Sequence, residues 1–395
     1  MNSRSLLIKN ARIVTPETLL EKHSVYCVDG SIEKILPEGA ERPFIADETV
    51  DASGMYLSPG FIDLHIHGTK NLLVDRGGEH LAELCRVLPQ YGVTGFLPTV
   101  CPASTEEDDL KLLASLSKVK SDGTAILGFF LEGHFLALTG AIRDIPEDKS
   151  GVRVEKLLEA LKPYKAVFGI SPEIQGMAQL LPLMTGLGYP AFITHTAATV
   201  EQTESAIKAG AVHATHFYDV FPYPGVKDPG VRTCGSVEAI LASPEVSVDF
   251  ILDGEHVHPV AVKMALICKG REKVCLTTDA NINAGLLPGT YKGLGGSEID
   301  VAYEGGPARI SKGGKEPGTL AGSGLTMDRA VRNAVKLLGV DVPQAIAMAS
   351  SNPARVLNLH KSKGFIREGY DADLVLLDQE LKVVHCWVRG RRCFG

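Results

Sequence analysis

Gly60-Phe61-Ile62-Asp63-Leu64-His65-Ile66-His67-Gly68 is an apolar run that finishes in two histidines. Read as a strand, its side chains alternate between faces, so His65 and His67 point the same way. Seven further strand-like segments follow, separated by helical stretches at intervals of about 20 to 40 residues, the βα alternation of a parallel sheet. Together the eight are Gly60–His65, Gly92–Pro98, Ala125–Leu131, Ala166–Ile170, Ala191–His195, Val212–His216, Val248–Leu252 and Val274–Thr278. Eight such units close a (β/α)8 barrel, the TIM-barrel class of α/β fold. A doubly wound open sheet is the alternative, but no Gly-x-Gly-x-x-Gly follows the first strand.

Outside this region the texture changes. Leu6-Leu7-Ile8 and Ser24-Val25-Tyr26-Cys27-Val28 near the start, and Ala372–Leu377 and Val383–Val388 near the end, are short β-type runs between turn signals such as Asp29-Gly30. Both ends of the chain are therefore expected to form one small β-sandwich domain, residues 1–56 with 361–395, beside a barrel of residues 57–360.

Catalytic groups in a barrel sit at the C-terminal ends of the strands. The first strand ends in His65 and His67, the third in Glu132 followed by His134, the fifth in His195, the sixth in His216 and the eighth in Asp279. Each has an ordinary reading: a rim or core histidine, a salt-bridged glutamate, a helix-capping aspartate. The joint pattern differs, because five strands deliver a metal-competent group to the same rim, and a buried carboxylate is costly unless it is paired or bound to a metal.

Composition narrows the functions. Hydrophobic residues are 45% and charged residues 22% of the chain, ordinary for a soluble globular protein. A net charge of -7 argues against a nucleic-acid partner, which needs a basic surface. The eight cysteines show no Cys-x-x-Cys pair, and no run of about 18 apolar residues marks a membrane span. Reduced thiols and a cytoplasmic location are expected, with no membrane partner.

The residues quoted above, with Ala214-Thr215-His216-Phe217-Tyr218, Asp253-Gly254-Glu255-His256-Val257, Thr278-Asp279-Ala280, Leu320 through Met327 and Asn352-Pro353-Ala354-Arg355, resemble the amidohydrolase superfamily and specifically the N-acetylglucosamine-6-phosphate deacetylase family. The likeness runs over nearly the whole chain. It implies that Glu132, His195 and His216 hold a divalent ion, and that His65 and His67 provide for a second, with Glu132 bridging and Asp279 close by. Zinc is the expected ion; iron, manganese or cobalt suit the same donors. Asp279 matches the family's acid/base and His256 the residue near the substrate carbonyl. The implied reaction is deacetylation of an N-acetyl amino sugar phosphate by a homodimer.

Departures from the family gather in the substrate-facing loops. His134 stands where the family has proline, Asp219 where it has an amide, and Lys227 where an arginine reaches a phosphate, often across a dimer interface; Arg232 lies just beyond. His134, Asp219, Lys227, Arg232 and His256 are thus the candidate substrate contacts. Lysine binds phosphate as a point charge without arginine's planar fork. A deacylase of another N-acyl amine or of an unphosphorylated amino sugar is the nearest alternative. A cyclic-amide hydrolase of the type that carries a carboxylated lysine would need one at the end of the fourth strand, where Ile170-Ser171 stands. A non-catalytic metal-binding scaffold would need no proton shuttle such as Asp279.

Overall fold

The computed structural model of the chain describes residues 4–41, 43–142, 149–186, 188–225, 228–314 and 316–395. Eight parallel strands follow one another around a barrel: Phe61–Ile66, Val93–Val100, Phe129–Phe135, Ala166–Ile170, Phe192–Ile193, His213–Ala214, Ser247–Ile251 and Val274–Thr277. The ring closes where Ile66 bridges Ala280 in parallel and Asp279 N–H donates to the His65 carbonyl at 2.9 Å. The first, second, fourth, seventh and eighth strands are buried along their whole length. Sheets covered on both faces read as continuous apolar runs, which is why the eight segments stand out in the sequence.

A helix follows each of the first seven strands, from Gly78–Val87 through Pro259–Lys269. After the eighth the chain makes a three-stranded sheet, Gly289–Lys292, Glu298–Val301 and Arg309–Ile310, before Met327–Asn333 and Val342–Ala349 complete the outer ring. This added sheet has its own small core of Ile282, Ile299, Ala308 and Ala321. The expected third strand is displaced: Ala125–Ile126 pairs separately with the second strand, and the main strand begins at Phe129. Gly128 lies at the break, where a Cβ would come within 2.9 Å of the Lys165 carbonyl.

The chain ends meet as expected. Leu374–Leu377 pairs antiparallel with Tyr56–Pro59, joining the C-terminal strands to Ser5–Val14, Leu19–Val28 and Ser31–Pro37 in one eight-stranded sheet. Its core, with Leu6, Ile8, Val25, Leu57, Leu374 and Trp387, is separate from that of the barrel. No helix among the described residues is long and apolar enough to cross a membrane.

Candidate metal centre

His65 and His67, two residues apart on the first strand, bring their Nε2 atoms within 3.3 Å of each other. Glu132 Oε2 lies 3.2 Å from the first and 3.1 Å from the second. Asp279 Oδ1 lies 3.5 Å from His65 Nε2 and 3.3 Å from His67 Nε2. The donor atoms of His65, His67 and Asp279 all lie within 4.8 Å of one another, around a hole that could take a divalent ion.

The other oxygen of the same carboxylate serves a second pair. Glu132 Oε1 is 3.3 Å from His195 Nε2 and 3.0 Å from His216 Nε2. A site held by these three would keep a position open for a further ligand, as catalytic sites do, and the donor atoms of His65, Glu132 and His216 lie within 4.8 Å of one another. Both halves are buried. Burial opposes the charge on Glu132, but the surrounding imidazoles hold its carboxyl well below the usual range. Burial likewise opposes a proton on His216, yet Glu132 pushes its pKa up to about 9. The carboxylates thus attract positive charge into the hole, and protons supply it where no ion does.

The backbone at the rim is strained where these side chains turn inward. His195, His216 and Asp279 have φ of 49°, 35° and 44°, a region that side-chain-bearing residues seldom enter. Such conformations persist only where neighbouring structure enforces them, and they cluster at functional sites. Asp63 and Asp249 do much of the enforcing, and the sequence reading assigned a role to neither. Asp63 accepts from Thr278 Oγ1 at 2.6 Å, Thr278 N–H at 3.2 Å, Thr277 Oγ1 at 3.1 Å and His65 N–H at 3.3 Å, tying the first strand to the eighth. Asp249 accepts from His216 N–H at 2.6 Å and Thr215 Oγ1 at 3.0 Å and pairs with His213 Nε2 at 2.9 Å. A carboxylate inside an apolar strand, as in Ser247-Val248-Asp249-Phe250-Ile251, is the signal that could have revealed it.

His256 sits beside this centre. Asp253 Oδ2 meets its Nδ1 at 2.7 Å, while its Nε2 is buried with no hydrogen-bond partner among the described residues. Asp219, half-buried on the turn after His216, adds negative charge near both His216 and His256. A cavity of about 1070 Å³ opens alongside, lined by Cys101, Thr139, Gly140, Val220, Arg76 and Lys292 among others. Gly140 has φ +56°, and a Cβ there would come within 3.0 Å of His195 Cε1, so a side chain would crowd His195 from the cavity wall.

Of the remaining candidates, His134 and Arg232 are not brought to the centre. His134 is a correction: its ring is fully buried and its Nε2 pairs at 3.0 Å with Asp109, which also binds Arg153, so it faces the helices behind the third strand instead of the cavity. A register irregularity between Leu131 and Phe135 accompanies this turn away from the rim. Arg232 is 78% exposed and pairs with Glu238 at 3.1 Å. Lys227 lies outside the described residues.

Comparison with known proteins agrees with this geometry. Residues 191–393 match the model of the Amidohydrolase family. The chain is 32% identical to an N-acetylgalactosamine-6-phosphate deacetylase from Escherichia coli O157:H7, with 98% of each chain covered. It is also 32% identical to an N-acetylglucosamine-6-phosphate deacetylase from Lysinibacillus sphaericus, over 98% of this chain and 97% of that one. Among solved structures, a mutant N-acetyl-D-glucosamine-6-phosphate deacetylase from Mycobacterium smegmatis, in complex with N-acetyl-D-glucosamine-6-phosphate, superposes with a TM-score of 0.86 at 28% identity, covering 100% of both chains. With its barrel, its rim of histidines and carboxylates and relatives matched end to end, the chain belongs to the N-acetylglucosamine-6-phosphate deacetylase family of the amidohydrolases.

Proposed function

We propose that the protein is a metal-dependent hydrolase that removes the acetyl group from an N-acetyl amino sugar phosphate, of the N-acetylglucosamine-6-phosphate type, releasing acetate and the amino sugar phosphate. The observation that carries the reading is the Glu132 carboxylate, with one oxygen toward His65 and His67 and the other toward His195 and His216. A divalent ion, when bound, supplies Lewis acidity that makes hydroxide available near neutral pH and polarises an amide carbonyl.

The chain's own residues do the rest. His65, His67, Glu132 and Asp279 would hold one ion and Glu132, His195 and His216 the other. Asp279 takes the proton from the attacking water and returns it to the leaving amine. His256, its Nδ1–H donated to Asp253, offers Nε2–H to the oxygen that gains charge as the amide is attacked. Zinc is the proposed ion, on the strength of imidazole and carboxylate donors. A barrel of residues 57–360, a terminal domain of 1–56 with 361–395, a cytoplasmic homodimer, and recognition of the sugar phosphate by Asp219, Lys227 and Arg232 belong to the same reading.

A second substrate reading has support of its own: one of the 32%-identical relatives is named for the galactosamine epimer, and the departures at Asp219 and Lys227 fall in the substrate loops. Measuring amine release from the 6-phosphates of N-acetylglucosamine and N-acetylgalactosamine, and from both unphosphorylated sugars, tests the proposal. Turnover of a phosphorylated epimer by the zinc-loaded protein is expected; turnover of none of the four would reject it.

A further inference from the structure

Four of the five buried cysteines, Cys27, Cys85, Cys275 and Cys386, pack inside apolar clusters, where a thiol behaves as a small hydrophobe. Cys101 belongs to none of those clusters. It follows directly on the second barrel strand, Val93–Val100, with its backbone N–H donated to Asp75 at 3.3 Å. Its Sγ lies 3.9 Å from Nδ1 of His67, and it lines the cavity beside the centre. Donor atoms of Cys101, His67 and Glu132 all fall within 4.8 Å of one another, and all three residues are buried. The rim therefore carries a sulfur that the proposed reaction does not use.

We propose that Cys101, by rotating its Sγ away from Nδ1 of His67, becomes a sulfur donor to the ion held by the Nε2 atoms of His65 and His67 when that ion binds. The inference rests on the metal-centre reading above. A thiolate beside imidazole and carboxylate makes that half of the centre soft, while the His195–His216 half offers only nitrogen and oxygen. As the bond from Sγ to the ion forms, the S–H bond breaks and its proton passes to solvent, so nothing is oxidised or reduced. The two ions then differ in kind: the sulfur-bound one favours zinc, cadmium or cobalt over manganese or magnesium, and the other discriminates less. Cys101 also gives thiol reagents entering the cavity a handle on the first ion.

Cobalt substitution of the whole protein tests this without recourse to activity. The wild-type cobalt protein is expected to show the visible ligand-field bands of the centre together with a near-ultraviolet sulfur-to-cobalt charge-transfer band. In Cys101→Ser and Cys101→Ala the charge-transfer band should vanish while ligand-field bands remain. Ligand-field bands without the charge-transfer band in wild type would overturn the proposal, leaving Cys101 as an acceptor for His67 Nδ1–H. A band that persists in Cys101→Ser would trace to another thiol, such as exposed Cys234 or Cys268, and would overturn it equally. No ligand-field bands at all would sink the metal centre itself, a distinct failure. If neither variant folds, the cadmium-113 resonances of wild type decide: one of two signals displaced by sulfur supports the assignment, and two signals both in the nitrogen and oxygen range reject it.

Discussion

Asp253 and His256 lie three residues apart on one turn, and a single carboxylate grips both ends of that turn. Oδ2 meets the imidazole Nδ1 at 2.7 Å, and Oδ1 accepts the backbone N–H of Glu255 at 2.8 Å and of His256 at 2.9 Å. Burial works against a proton on His256, but the hydrogen bond and charge of Asp253, with Asp219 and Asp279 behind, raise its pKa. The ring is then an imidazolium below that raised value and loses its proton as pH rises through it. Asp253→Asn removes the charge, so the alkaline limb of the kcat profile should move to lower pH and kcat should fall by about 10- to 100-fold. The pH dependence of kcat is the measurement; an unmoved limb would detach His256 from the chemistry.

Asp279 has two proposed tasks, as a donor at 3.3–3.5 Å from His65 and His67 and as the carrier of the transferred proton. Asparagine preserves the shape and abolishes the base. Asp279→Asn should lower kcat by at least about 100-fold, the scale of general acid–base catalysis. The ion at His195 and His216 does not depend on Asp279, so elemental analysis should still find at least one metal per chain. Turnover within tenfold of wild type would refute the proton-carrying role.

Ion removal should cost stability as well as activity. An ion that binds the folded centre and not the unfolded chain adds about 2.7 kcal/mol at a free concentration of 100 Kd. Chelated protein should therefore melt at a lower temperature and recover on adding zinc. His216→Ala should abolish the second ion and spare the first, whereas the double variant His65→Ala/His67→Ala should do the reverse. Calorimetry with metal analysis reads both effects, and an unchanged melting temperature after complete chelation would count against a metal-filled centre.

The strands of the barrel were legible because burial on both faces forces apolar runs, and the centre was legible because each run ends in a group that burial would otherwise penalise. Phe61–Ile66 and its terminal histidines carried both signals. What stayed hidden depends on side-chain direction in three dimensions. His134 follows Glu132 by two residues, which on a regular strand puts them on one face; the irregularity before Phe135 sends its ring to Asp109 instead. Asp63 and Asp249 were hidden because their partners, Thr278 and His216, are distant in the chain and meet them only once the barrel closes. The sheet from Gly289 to Ile310 escaped because its strands are only two to four residues long and largely exposed, and just one of them, Glu298–Val301, alternates.

The same turned-away His134 leads to the last prediction. Asp109, on the helix Glu106–Leu116, is buried against His134 Nε2 at 3.0 Å and against Arg153 of the helix Gly151–Leu161. Burial pushes its carboxyl up, but His134 and Arg153 outweigh that and hold it below the usual range. An acid with a depressed folded pKa stabilises the protein above its unfolded value, about 3.9, and that contribution is lost as pH falls through the folded one. Asp109→Ala breaks the buried ion pair with Arg153 by removing one partner, which costs about 3–5 kcal/mol. It should lower the denaturant midpoint at pH 7 and flatten the loss of stability toward acid pH. Because none of Asp109, His134 and Arg153 lines the cavity, KM of the folded variant should stay within about twofold of wild type, the scale of an untouched binding site. A KM raised tenfold, in this variant or in His134→Ala, would return His134 to the substrate.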